Sequence, residues 1–170
     1  MKPHRVLILT HPDQISPEKP ETFTERERQE WMTEHDVITT LRKSGHEVRS
    51  LGVQNELAPI REGIDSWKPD IVFNLLEEFH GEVVYEQNVA SLLELLRIPF
   101  TGCNPRGLML ARDKALSKQL LIYHRIPVPK FAVFPMKRKV RRPRALALPL
   151  IVKSLSADAS LGISRAGKTP

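Results

Sequence analysis

Short apolar runs alternate with helix-spaced stripes over the first two-thirds of this chain, and that alternation limits the folds open to it. Arg5-Val6-Leu7-Ile8-Leu9-Thr10 reads as a buried parallel strand. Trp31 to Lys43 carries Val37, Ile38 and Leu41 at helical spacing, with Ser44-Gly45 as its stop. Glu47 to Leu51 is a second strand. Leu57, Ile60, Ile64 and Trp67 form one stripe of a helix that ends before Pro69. Asp70 to Leu76 is the best strand pattern of the chain, and Val89, Leu92, Leu93 and Leu96 form another stripe. Strands alternating with amphipathic helices predict an α/β fold with a parallel, doubly wound sheet over roughly residues 1–110.

Past residue 110 the pattern changes. Pro99 to Gly102 reads as strand and turn. Asp113 is placed to cap a helix carrying Leu116, Leu120 and Tyr123. Phe131 to Phe134 and Leu150 to Val152 read as strands around a basic turn. A second domain is therefore expected to begin near residue 111. Pro12 to Glu30, with three prolines, reads as a long loop of the kind that is functional or disordered.

The net charge of +6 invites a nucleic-acid reading. Six of the basic residues, Lys137, Arg138, Lys139, Arg141, Arg142 and Arg144, fall in one run, and without them 20 basic face 20 acidic residues. That run is expected to be a solvated turn, and nucleic acid is not expected as a partner. No apolar run approaches the ~20 residues of a membrane span, so no membrane is expected. The single Cys103 excludes an internal disulfide, fits a reducing, cytoplasmic compartment, and is expected to be a small buried hydrophobe. The six histidines show no zinc spacing, and no metal site is expected in these residues. Gly167-Lys168-Thr169 lacks the upstream glycine of a P-loop.

Chemistry is suggested by Leu150-Ile151-Val152-Lys153 and the small-residue loop after it. A lysine at a strand end beside free backbone N–H groups is suited to phosphate oxygens. Phe73-Asn74-Leu75-Leu76, Gly81-Glu82, Gln87, Ile98 to Cys103, Arg112-Asp113-Lys114, Ile126-Pro127-Val128-Pro129 and Ile151-Val152-Lys153 recur in a fixed order. Together they resemble the N-terminal part of D-alanine–D-alanine ligases and their ATP-grasp relatives, over roughly residues 69–163. The resemblance is closer to the ligase-like members than to the cell-wall enzymes themselves.

The resemblance implies a Rossmann-like pre-ATP-grasp domain over 1–110, followed by an incomplete α+β ATP-grasp subdomain over 111–170. It implies an ATP-dependent carboxylate–amine ligase working through an acyl phosphate, with ATP and Mg2+ as cofactors and amino-acid or peptide-like substrates. Lys114, Lys153, Ser160 and Gly162 would bind ATP. Glu34, Glu77 and Glu82 would face an amine-bearing substrate. Asp158-Ala159-Ser160-Leu161-Gly162 departs from the family's Gly-Ser-Ser-x-Gly, which leaves D-alanine itself unsupported as substrate. The magnesium ligands of the family would follow Ile163, so the 170-residue chain is expected to be inactive alone. The alternatives are a non-catalytic regulatory α/β module forming a homodimer, and nucleic-acid binding through the run 137–144.

Overall fold

The computed structural model describes residues 2–15, 17, 23–28, 31–135 and 137–156. Two compact units divide at Leu108 and Met109. In the first, β1 (Arg5–Thr10), β2 (Glu47–Gly52) and β3 (Ile71–Asn74) form a parallel sheet in the order β2-β1-β3. The helices are α1 (Glu25–Arg28), α2 (Met32–Lys43), α3 (Ala58–Trp67), α4 (Glu86–Leu95) and α5 (Pro105–Arg112), which crosses the division. The parallel, doubly wound α/β expectation is borne out.

Strand β1 is central, and its alternate side chains feed two cores. Val6 and Ile8 pack with Ile38 of α2 and Val48 of β2. Leu7 and Leu9 pack on the other face with Ile60, Ile64 and Trp67 of α3 and with Val89 and Leu93 of α4. Helices on both faces explain why the strands read as continuous apolar runs. At the N-terminal edge of the sheet, Arg5 N–H donates to Asp70 Oδ2 at 2.7 Å and Arg5 Nη1 donates to the Trp67 carbonyl at 2.9 Å. The Arg5 N–H holds the Asp70 carboxyl below its ordinary pKa.

The helix ends follow local chemistry. Ser44-Gly45 stops α2 as expected: Gly45 has φ +87°, and the N–H groups of Gly45 and His46 donate to the carbonyls of Arg42 and Leu41. This is a Schellman cap, which satisfies carbonyls the helix leaves over. The same cap closes α4 with Arg97 in the left-handed position, at φ +55°. Gly52 ends β2 where any side chain would collide, because an added Cβ would lie 2.9 Å from Ile15 Cδ1 and 3.0 Å from Pro12 Cα.

The expected segment at Pro99–Gly102 makes a parallel bridge, Val72 to Phe100, rather than a full strand. Helix α5 was not anticipated, although Asn104-Pro105 is a cap followed by an N1 proline; Asn104 Oδ1 accepts from Gly107 N–H at 2.8 Å. Cys103 is exposed, not buried as expected.

The second unit contains α6 (Lys114–Tyr123), capped by Asp113, whose Oδ1 accepts from the N–H groups of Ala115 and Leu116 at 2.9 Å each. The strands expected at Phe131–Phe134 and Leu150–Val152 do not form. A strand needs a ladder partner, and Pro127, Pro129, Pro135, Pro143 and Pro149 flank the two segments with positions that have no N–H to extend a ladder. Ile151 and Val152 are 77% and 86% exposed, and Leu120, Leu121 and Ile122 of α6 are exposed too.

Leu93 is fully buried whereas Leu95, on the same helix, is 80% exposed. Leu93→Ala is expected to lower the unfolding free energy in urea by about 2–5 kcal/mol. Leu95→Ala should stay within about 0.5 kcal/mol of the parent.

Candidate functional site

The switch point of the first unit lies at the C-terminal edge of the sheet. From β1 the chain crosses first to β2 on one side and then to β3 on the other, and in open α/β sheets ligands bind where that reversal leaves a crevice. Thr10 ends β1 fully buried, and its hydroxyl donates to Gln14 Oε1 at 3.4 Å. The same oxygen accepts from His11 N–H at 3.3 Å, which ties the Pro12–Gln14 turn onto the strand end. At the end of β3, Asn74 N–H donates to Thr101 Oγ1 at 3.0 Å, and Asn74 Oδ1 accepts from Leu76 N–H at 3.3 Å.

Two of the three expected substrate carboxylates share this edge. Glu34 lies in the first turn of α2 and is only 5% exposed. Burial pushes its carboxyl above the ordinary pKa, its own backbone N–H pulls the other way, and the charge of Glu77 adds to the upward push. Glu77 is therefore within electrostatic reach, just beyond β3. Glu82 is exposed and sits at the foot of a two-residue hairpin. There Phe79 and Glu82 exchange N–H···O bonds of 3.2 and 3.1 Å around His80 and Gly81, at φ +62° and +72°. Positive φ at both turn residues is the primed-turn geometry that suits tight hairpins. His80 N–H donates to the Gln54 carbonyl at 2.7 Å, which pins the hairpin to the loop after β2. Thr10 and Gln14 were missed from the sequence; their signal is that they follow an apolar strand directly.

The second unit holds the lysine candidates. Lys114 opens α6, and both its N–H and its Nζ donate to the Leu155 carbonyl, at 3.3 and 3.4 Å. The carbonyl takes up one of the donors that a helix N-terminus leaves over. Leu155 is two residues past Lys153, so the stretch carrying Lys153 is fastened to the start of α6. Lys153 itself is exposed and lies on an irregular segment rather than at a strand end. Ser160 and Gly162 lie outside the described residues. A cavity of about 540 Å³ in this unit is lined by Ile122, Ile126, Val128, Phe131, Pro143 and Leu146 among others, and by none of the candidate residues. Among the described residues, no group of three or more His, Cys, Asp or Glu could hold a metal ion, and no helix is long and apolar enough to cross a membrane.

No family model matches the chain. Its similarity to individual proteins is nevertheless extensive. It is 33% identical over 129 residues to a D-alanine–D-alanine ligase of Cereibacter sphaeroides, covering 76% of this chain and 40% of the relative. A D-alanine–D-alanine ligase of Moorella thermoacetica is 28% identical over 134 residues, 74% of this chain and 41% of its own. The uncharacterised protein y4sG of Sinorhizobium fredii is 31% identical over 132 residues, 75% and 38% of the two chains. In fold the chain resembles the D-alanine–D-alanine ligase of Bacillus anthracis solved with ATP, at a TM-score of 0.55 and 21% identity, covering 84% of this chain and 43% of that one.

The chain is a D-alanine–D-alanine ligase-like relative of ATP-grasp type. It spans about two-fifths of the length of the ligases it matches. For this ligase relative the buried Glu34 carries a measurable consequence. A carboxyl with a raised folded-state pKa favours the fold most below its unfolded value, near 4.5, and that contribution is lost as pH rises through the folded value. Glu34→Gln should therefore gain urea midpoint relative to the parent at pH 7, and the gain should shrink as the pH approaches 4.5.

Proposed function

We propose that this chain supplies the substrate-side α/β domain and the first nucleotide-contacting segment of an ATP-dependent carboxylate–amine ligase. In this reading 1–110 is the pre-ATP-grasp domain and 111–170 is the first part of the ATP-grasp domain. The supporting observation is the double contact of Lys114 with the Leu155 carbonyl, which holds two basic segments far apart in sequence in one neighbourhood.

In the proposed reaction the γ-phosphoryl group passes from ATP to a carboxylate oxygen, giving an acyl phosphate and ADP. An amine then attacks the acyl carbon, the C–O bond to phosphate breaks, and the amine proton passes to solvent. Lys114 and Lys153 would hold phosphate oxygens electrostatically, the main task of protein groups in such transfer. Ser160 and Gly162 would offer hydroxyl and backbone N–H groups to the same oxygens. Glu34, Glu77 and Glu82 would present negative charge to an ammonium-bearing amino acid or peptide-like substrate. Among the described residues no cluster of carboxylates fits Mg2+. The reaction is assigned to the whole ligase, with the 170 residues alone expected to bind without turnover. The exposed thiol of Cys103 suits a reducing, cytoplasmic setting.

Titration of the purified chain with a non-hydrolysable ATP analogue tests this. Weak saturable binding is expected, reduced about tenfold by Lys114→Ala or Lys153→Ala, the equivalent of ~1.4 kcal/mol each. Absence of binding, or binding indifferent to both substitutions, would remove the nucleotide assignment. Robust ATP-dependent phosphate release by the chain alone would refute its inactivity.

A second reading, a non-catalytic module acting as a homodimer, is favoured by the exposed apolar residues Leu120, Leu121, Ile122, Ile151 and Val152. Sedimentation at rising concentration should then show a dimer that Ile151→Ser with Val152→Ser disperses.

A further inference from the structure

The chain's modest net charge conceals two bodies of opposite sign. Residues 1–108 hold 12 basic and 18 acidic residues, net −6. Residues 109–170 hold 14 basic and 2 acidic residues, net +12. The neutrality left after setting aside the run 137–144 is thus a cancellation between the units, not a property of either.

Among the described residues of the second unit the positive charge has almost no acidic counterpart. Asp113 is the single acidic residue in 109–156, and its carboxylate caps α6. Lys137, Arg138, Lys139, Arg141, Arg142 and Arg144 are all exposed. Among the described residues none of the six is ion-paired; Arg142 Nη1 donates to the Leu146 carbonyl at 2.6 Å and keeps its other donors. The strands that would make this run a plain hairpin turn are not formed on either side.

We propose that the second unit binds the phosphate backbone of nucleic acid along residues 137–144. Four of the six cations are arginines, whose planar fork matches phosphate oxygens. Fully extended, eight residues reach at most ~26–29 Å. A duplex presents one charge per ~1.7 Å of axis, so each cation in such a run finds a phosphate nearby. Aromatic residues are absent from the run, so recognition falls on the backbone and not on bases. A membrane surface fits less well, because among the described residues 124–156 form no helix to lay an apolar face in lipid. A single nucleotide would compensate only a fraction of the charge. This inference is independent of the ligase reading.

The test is fluorescence anisotropy of the full chain with a mixed-sequence DNA duplex of about 20 base pairs. Affinity should fall about a thousandfold between roughly 50 and 200 mM salt, as for about six phosphate contacts. The sextuple variant Lys137→Gln, Arg138→Gln, Lys139→Gln, Arg141→Gln, Arg142→Gln, Arg144→Gln should bind at least tenfold more weakly, with most of the salt dependence gone. Lys137→Gln, Arg138→Gln, Lys139→Gln should remove about half of that dependence, which covers the case in which the sextuple variant loses its circular-dichroism spectrum. Exchanging the four arginines for lysine should keep the salt dependence, which follows charge, while weakening binding a few-fold through loss of the planar fork. The proposal is overturned if the parent fails to bind duplex at low salt or if the folded variants bind as it does. It is equally overturned if poly-glutamate or phosphatidylserine vesicles bind as tightly as the duplex.

Discussion

Everything ordered in the first unit depends on the double pairing of β1. This strand hydrogen-bonds to β2 on one edge and β3 on the other, and Val6 through Thr10 are all buried. Its backbone donors and acceptors have no water to fall back on, so an unmade bond there would cost the full desolvation of the group. The two cores then meet through this one strand, even-numbered side chains to α2 and odd-numbered ones to α3 and α4. A one-residue register slip would present each side chain to the wrong core, which fixes the pairing tightly. The candidate edge inherits that rigidity: the Thr10 carbonyl accepts from Val53 N–H at 2.8 Å and the Leu9 carbonyl from Leu75 N–H at 2.9 Å, which carries both ladders one residue past the strand ends.

The second unit lacks such a backbone anchor. Its described order comes from α6, its Asp113 cap and the Ser117 hydroxyl, which donates to the carbonyls of Leu110 and Asp113. Beyond α6 the chain is tied by isolated contacts, such as Lys118 lying over the Phe131 ring at 5.0 Å. Burial is shallow, and large apolar side chains stay in contact with solvent. In the ligases it resembles, the matched stretch makes up about two-fifths of the chain.

How much of this was legible follows from which information was local. Strands β1 to β3 and helices α2, α3, α4 and α6 were readable because their apolar periodicity is set by the fold's own cores. The Asp113 cap and the Gly45 stop were readable because each is a short-range backbone solution. Phe131–Phe134 and Leu150–Val152 misled because a β-like composition makes a strand only when a partner edge is present. Helix α5 escaped notice because Gly107 and Arg106 dilute its stripe, although Asn104-Pro105 announced it. Glu34 was singled out by type, but its burial could not be read locally: a carboxylate in a first turn looks the same whether it complements the helix dipole in water or is enclosed by neighbours. The opposite signs of the two units were present in the sequence and hidden by summing it.

The sheet's two borders have a consequence for how this molecule meets copies of itself. On one side β2 carries the exposed charges Glu47 and Arg49. On the other, β3 is overlaid by Pro99 to Thr101, a stub with a proline at its head and Thr101 Oγ1 standing in for one ladder acceptor. Among the described residues the outer edge of β2 is guarded by those charges and the outer edge of β3 is partly covered by the stub, two devices that discourage further chains from stacking. Side-chain surfaces are thus an easier route than sheet extension for this molecule to meet its copies.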